Sequence, residues 1–139
     1  PPFSGFSALI ANRQAEFRYA VGGILRELGF AVEGYRTAQE LSVAARELQP
    51  DIVLLDEALP DLSGTDAAAL LHQDIATADI PIVLFRSAVN GRALEADVLF
   101  DHVTVMLKPF TVAQLRETCT AALSTEDPSF VLDEEQVPK

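Results

Sequence analysis

The chain has 139 residues, 49% hydrophobic and 22% charged, with a net charge of -11 and a single cysteine. That length suits one domain with a real core, and no apolar run approaches the roughly 20 residues of a membrane-spanning helix. A lone cysteine forms no internal disulfide, which fits a reducing compartment, and two lysines in the whole chain are too few for the clustered basic surface that grips a phosphate backbone. Nucleic acid and membrane are therefore not expected as partners. The start lacks the basic segment and apolar core of a secretory signal, so the expected location is cytoplasmic.

Apolar runs alternate with helical patterns and nothing repeats, the arrangement of a mostly parallel sheet built from βα units. Five strand candidates stand out: SALIA (7–11), AVEGY (31–35), DIVLL (51–55), PIVLF (81–85) and VTVML (103–107). Between the first two, Phe17, Ala20, Val21, Ile24, Leu25 and Leu28 recur at helical spacing, and Gly29 follows as the glycine after a helix end. Thr37 with Glu40, Ser63 with Asp66, and Thr111 with Gln114 each have the spacing of a capping box at a helix start. The last helix presents Val112, Leu115, Cys119 and Ala122 on its inner face, making Cys119 a core thiol. Asn12 suits a helix N-cap, while His72 and His102 have no second His or Cys at ligand spacing. From Ser124 the chain carries five acids against one lysine and reads as an acidic tail or linker over 124–139.

The run DIVLLDEALPDLSG poses the functional question. Four apolar residues, expected in the middle of a parallel sheet, lead into one carboxylate, Asp56, at the strand end that faces the ligand crevice of such folds. No Gly-rich phosphate loop, no GxSxG and no nucleophile paired with a base is present, so an enzyme is not expected.

Two stretches resemble the receiver domain of two-component response regulators over residues 6–123. DIVLLDEALPDLSG is similar to that family's phosphoacceptor strand and loop, with Pro60 and Gly64 in place. VMLKPF is similar to its fifth strand, with Lys108 and Pro109 at the motif positions, 52 residues after Asp56. The resemblance implies a single doubly wound α/β domain, a flavodoxin-like five-stranded parallel sheet of order 2-1-3-4-5 with helices on both faces. It also implies a cis Lys108–Pro109 bond, Asp56 as the phosphoacceptor position, and histidine kinase or output domains as protein partners. Those partners, or a second copy in a homodimer, would use the face made by the helical region at 90–102, the fifth strand and the last helix.

The chain departs from the family pattern at four positions. Asn12 and Arg13 replace the acidic pair that holds magnesium in the family, Arg86 replaces the switch hydroxyl, and Val105 replaces the switch aromatic. Ser87 lies one residue beyond Arg86, and a one-residue slip would give it the hydroxyl's role. On this reading the cleft holds one carboxylate, Asp56, and three candidate cations, Arg13, Arg86 and Lys108, and no metal or other cofactor is expected. The main expectation is a pseudo-receiver, a phosphorylation-independent interaction module held in one state by built-in ion pairs. Two alternatives stand beside it: a receiver still phosphorylated on Asp56, and an anion-binding module using Arg13, Arg86 and Lys108. In a fourth reading the two arginines simply point into water.

Overall fold

The computed structural model describes residues 1–87 and 101–125. Its elements in chain order are β1 (Ser7–Ala11), α1 (Ala15–Glu27), β2 (Ala31–Tyr35), α2 (Ala38–Leu48), β3 (Ile52–Asp56), α3 (Gly64–Gln73), β4 (Ile82–Ser87), β5 (Val103–Lys108) and α4 (Val112–Thr125). The five strands form one sheet of order β2-β1-β3-β4-β5 with every pair parallel, the doubly wound order that the family resemblance implies.

Strand alternation divides the core in two. On one face Leu9, Val53, Leu55, Ile82 and Leu84 pack against Leu41 and Ala45 of α2 and Ala67, Ala68 and Leu71 of α3. On the other, Ala8, Ile10, Ile52, Leu54, Val83, Phe85 and Met106 pack against Val21 and Leu25 of α1 and Leu115, Cys119 and Ala122 of α4. Every residue of β3 is buried, which explains its unbroken apolar sequence. Each of its large aliphatic side chains contributes about 1.5–3 kcal/mol by leaving water.

The helix starts follow local chemistry. Thr37 Oγ1 accepts from Glu40 N at 3.1 Å and Ser63 Oγ from Asp66 N at 3.0 Å. Thr111 and Gln114 form the full reciprocal box, at 2.8 and 3.0 Å. Two glycines are required by geometry. Gly29 has φ +116°, and a Cβ there would lie 2.6 Å from Ser4 N; a Cβ on Gly64 would lie 2.6 Å from both Asp56 O and Leu84 Cδ1. Gly64 thus lets α3 start directly against the end of β3.

Several expectations need correction. Asn12 is no N-cap: Gln14 holds that position, and Asn12 Oδ1 accepts from Gln14 N at 2.8 Å in a side-chain turn one step earlier. Ala20 and Val112 are exposed rather than inward, because each falls on the edge of its helix's apolar stripe. Packing also begins before residue 6, since Phe3 is buried and stacks on Phe30 with ring centroids 4.5 Å apart. The helical region at 90–100 and the tail from 126 lie outside the described residues.

Two groups far apart in sequence meet here. His72 of α3 stacks on His102 at 5.3 Å, and desolvation, then the neighbouring His72, lower the pKa of His102 against the raising effect of Asp79 and Asp101. The folded state therefore holds fewer protons than the unfolded chain near pH 6, so stability falls as pH drops below about 6.5. His102→Phe should flatten the decline in thermal midpoint between pH 7 and 5.5, leaving the carboxylate-driven loss below about pH 4 in place. Burial alone pushes the Cys119 thiol up to about 12. Native protein at pH 8 should therefore resist iodoacetamide, with mass spectrometry showing alkylation only after denaturation.

Candidate functional site

The carboxyl ends of β1, β3, β4 and β5 bring the candidate residues to one edge of the sheet. Asp56 is buried and carries two contacts: Lys108 Nζ donates to Oδ1 at 2.7 Å, and Ala58 N donates to Oδ2 at 2.9 Å. Lys108 also lies over the Phe17 ring, 5.4 Å from its centroid, and Phe110 stacks on Phe85 at 5.3 Å beside it. The Lys108–Pro109 peptide bond is cis. Phe17, Ser87, Lys108, Pro109 and Phe110 line a shallow cavity of about 450 Å³ next to this ion pair.

Of the three cations expected around Asp56, only Lys108 reaches it. Asp56 has the phase of Ile52 and Leu54 and so belongs to the α1/α4 face, as Lys108 does with the phase of Met106. Arg86 has the phase of Ile82 and Leu84, which places it on the α2/α3 face. There its guanidinium is 3% exposed; Nη2 donates to Thr65 Oγ1 at 2.7 Å, and Nε lies 3.5 Å from Glu57 Oε1. Ser87 shares the Asp56 phase and is exposed at the cavity. Val105, out of phase with Lys108, is 36% exposed.

Arg13 does not stand in a cation's place beside Asp56. It is exposed, and among the described residues it makes no ion pair or hydrogen bond. A guanidinium on a loop is stable in water, and burying it costs several kcal/mol unless it is paired. Asn12 is buried, with its backbone carbonyl accepting from Arg18 Nη1 at 2.7 Å.

Glu57 and Thr65 were missing from the sequence-derived set. Glu57 Oε1 accepts from both Thr65 N, at 3.2 Å, and Thr65 Oγ1, at 2.9 Å, which sets a carboxylate at the N-terminus of α3. Asp61 does the same for α2, accepting from Ala38 N at 2.9 Å and Gln39 N at 3.0 Å. Desolvation acts to raise the Asp61 carboxyl, but these backbone donors outweigh it and hold the group below the ordinary range. Pro60 lies in the same loop, half-buried, between these anchors.

A doubly wound parallel sheet whose switch-point edge carries a buried Asp paired with a partly exposed Lys and a cis-proline turn defines a receiver-type domain. The family model for the response regulator receiver domain matches residues 8–120, and the chain belongs to that family. The phosphate regulon transcriptional regulatory protein PhoB of Pseudomonas aeruginosa is 28% identical over 130 residues, covering 89% of this chain and 54% of that protein. The DNA-binding response regulator MtrA of Mycobacterium tuberculosis is 27% identical over 119 residues, covering 86% and 51%. The chain thus spans about half the length of the curated relatives it matches. Among solved structures, the receiver domain of the sensor histidine kinase PA1611 from P. aeruginosa, which holds a magnesium ion in its active site cleft, superposes with a TM-score of 0.74 at 20% identity, covering 87% of this chain and 99% of that one. A CheY-like receiver domain from Methylobacillus flagellatus gives 0.72 at 24% identity, covering 84% and 98%.

The residues of this cleft do not fit a magnesium ion. Hard divalent cations take oxygen ligands, usually one or two carboxylates with waters. Here Asp56 is the carboxylate at the cleft, and Asn12 offers only an amide oxygen already bonded to Gln14 N. Arg13, at the sequence position of the second acid, supplies no oxygen ligand. Among the described residues no three His, Cys, Asp or Glu side chains group to hold a metal.

Removing Lys108 leaves the Asp56 carboxylate buried without its cation. Lys108→Met should cost about 2–4 kcal/mol in urea denaturation, somewhat less than a fully buried pair because Lys108 is partly exposed. Asp56→Asn in the same background should recover most of that loss.

Proposed function

We propose that this receiver domain works in two-component signalling as a phosphorylation-independent protein interaction module. The carrying observation is that, among the described residues, Asp56 is the single carboxylate at the cleft: it is neutralised by Lys108, while Arg86, at the switch position, is engaged with Thr65 and Glu57. Phosphoryl transfer needs cations and donors arranged around three equatorial oxygens, and a dianionic product needs more positive charge than one lysine. Receiver domains are signalling modules that meet histidine kinases and output domains, and the partner of this one is a protein of that kind. Recognition of it depends on surface shape, with the face built from β5 and α4 as the proposed contact; on that face Val105 and Val112 are exposed.

One observation favours a second reading, a receiver still phosphorylated on Asp56. The acceptor and the family lysine are both present, 2.7 Å apart. Anion binding by Arg13, Arg86 and Lys108 together has lost its geometric basis, since the three do not converge.

Intact mass after incubation with a small-molecule phosphodonor, with and without magnesium and with Asp56→Asn as control, decides between the two readings. The expected result is no mass gain under either condition. Addition of one phosphoryl group to the parent and not to the control would make Asp56 a working acceptor and end the phosphorylation-independent reading.

A further inference from the structure

We propose that Arg86, Thr65 and Glu57 form a latch that fixes the end of β4 to the β3–α3 loop and so sets the resting state of the Asp56 cleft, with Glu57 and Thr65 as the positioning residues. The inference rests on the reading of the domain as phosphorylation-independent and supplies what holds its conformation. Three features carry it.

First, the hydrogen bonds run in one direction. Arg86 Nη2 donates to Thr65 Oγ1, and that hydroxyl has one proton, which it donates to Glu57 Oε1. Loss of Glu57 therefore removes both the acceptor of the Thr65 hydroxyl and the carboxylate beside Arg86 Nε. Second, Arg86 is 3% exposed, so its charge stays inside only while it is paired; the Glu57 side chain is 32% exposed and has a route to water. The latch is thus asymmetric, with the anion as the member able to leave. Third, the backbone of Glu57 joins the latch to the cleft. Its N–H donates to Phe85 O and its carbonyl accepts from Gly64 N, both at 2.9 Å, and it stands between Asp56 and Ala58, which are bonded to each other. Movement of Glu57 therefore shifts Asp56 and Ala58 on one side and β4 on the other.

In receivers of the usual pattern the switch residue is uncharged and its partner, the phosphoryl group, comes and goes. Here the partner is a residue of the same chain, so the state is encoded at positions 57, 65 and 86.

The test is amide exchange by NMR on the whole chain. Thr65 N–H reports on the latch itself. Ala58 N–H, which bonds to Asp56 rather than to any latch side chain, reports on the cleft, and Leu9 and Ile10 in β1 report on global folding. Glu57→Ala and Arg86→Met should each speed exchange at Thr65 and Ala58 at least tenfold with Leu9 and Ile10 unchanged, and the double variant should go no faster than the faster single. Glu57→Gln, which keeps an acceptor but no charge, should fall between Glu57→Ala and the parent. An unchanged Ala58 rate in the singles, or single effects that multiply in the double, would overturn the latch. Should Arg86→Met lose protection at Leu9 and Ile10, Glu57→Ala and Thr65→Val decide by the same comparison, because both replaced side chains are partly exposed and lie outside the sheet. Phosphoryl gain on Asp56 in the mass experiment would overturn the functional reading and leave this exchange comparison intact.

Discussion

Side chains on a strand alternate between two faces, and the chemistry at the carboxyl edge of this sheet follows from the phase each polar residue holds. Asp56 and Lys108 continue the rows that face α1 and α4; Arg86 continues the row that faces α2 and α3. A shift of one residue in any strand would move its whole hydrophobic set to the wrong face, so the polar residues at the strand ends are held in place by the cost of misplacing the core behind them. The pairing of Asp56 with Lys108, and of Arg86 with Glu57 and Thr65, is thus a consequence of how Ile52, Leu54, Ile82, Leu84 and Met106 are buried.

The same edge shows how charges are held in and around a partly buried place. Three carboxylates leave the end of β3 and its loop, and each meets donors on a different element: Asp56 on β5, Glu57 on α3 and β4, Asp61 on α2. Each contact is modest, because a protein–protein hydrogen bond replaces one to water. Together they remove most of the freedom of a segment that, in a metal-dependent receiver, must accommodate an ion and a phosphoryl group. The loop is tied to its neighbours by groups of the same chain.

The sequence made the fold readable because its signals agreed at every level. Five apolar runs, breaks at Gly29, Pro50, Pro60, Pro81 and Pro109, and capping residues at Thr37, Ser63 and Thr111 all point to a parallel sheet of βα units, and the structure has it. Asp56 with Lys108 was equally legible from motif and spacing. The arginines were not, because alignment assigns a position without a direction. Arg86 was grouped with Asp56 by its distance along the chain, yet counting alternate residues back through Leu84 and Ile82 would have turned it to the other face. That count would also have kept Ser87 on the Asp56 side. Glu57 and Thr65 carried no motif and became visible only once the buried guanidinium needed an anion. Arg13 lies on a loop with no period to read, and solvation decided its place. The His72–His102 stack brings together residues 30 positions apart in the chain, one on α3 and one just before β5, a contact that sequence spacing does not show.

What separates this cleft from a metal-dependent one is the lifetime of its positive charge. A magnesium ion and a phosphoryl group bind and leave, so a receiver built around them has two states whose populations follow the signal. A guanidinium is permanently protonated and covalently attached, and once buried against Glu57 and Thr65 it gives one arrangement a lasting advantage. To shift such an equilibrium, a ligand must bind the other arrangement more tightly by more than that advantage. A phosphoryl group on Asp56 would act on the α1/α4 face, across the sheet from the guanidinium, with Lys108 as the cation paired to its acceptor. A protein partner can spread differential contacts over a whole surface and has no need of the cleft. On the proposed reading, residues 57, 65 and 86 suit control by association.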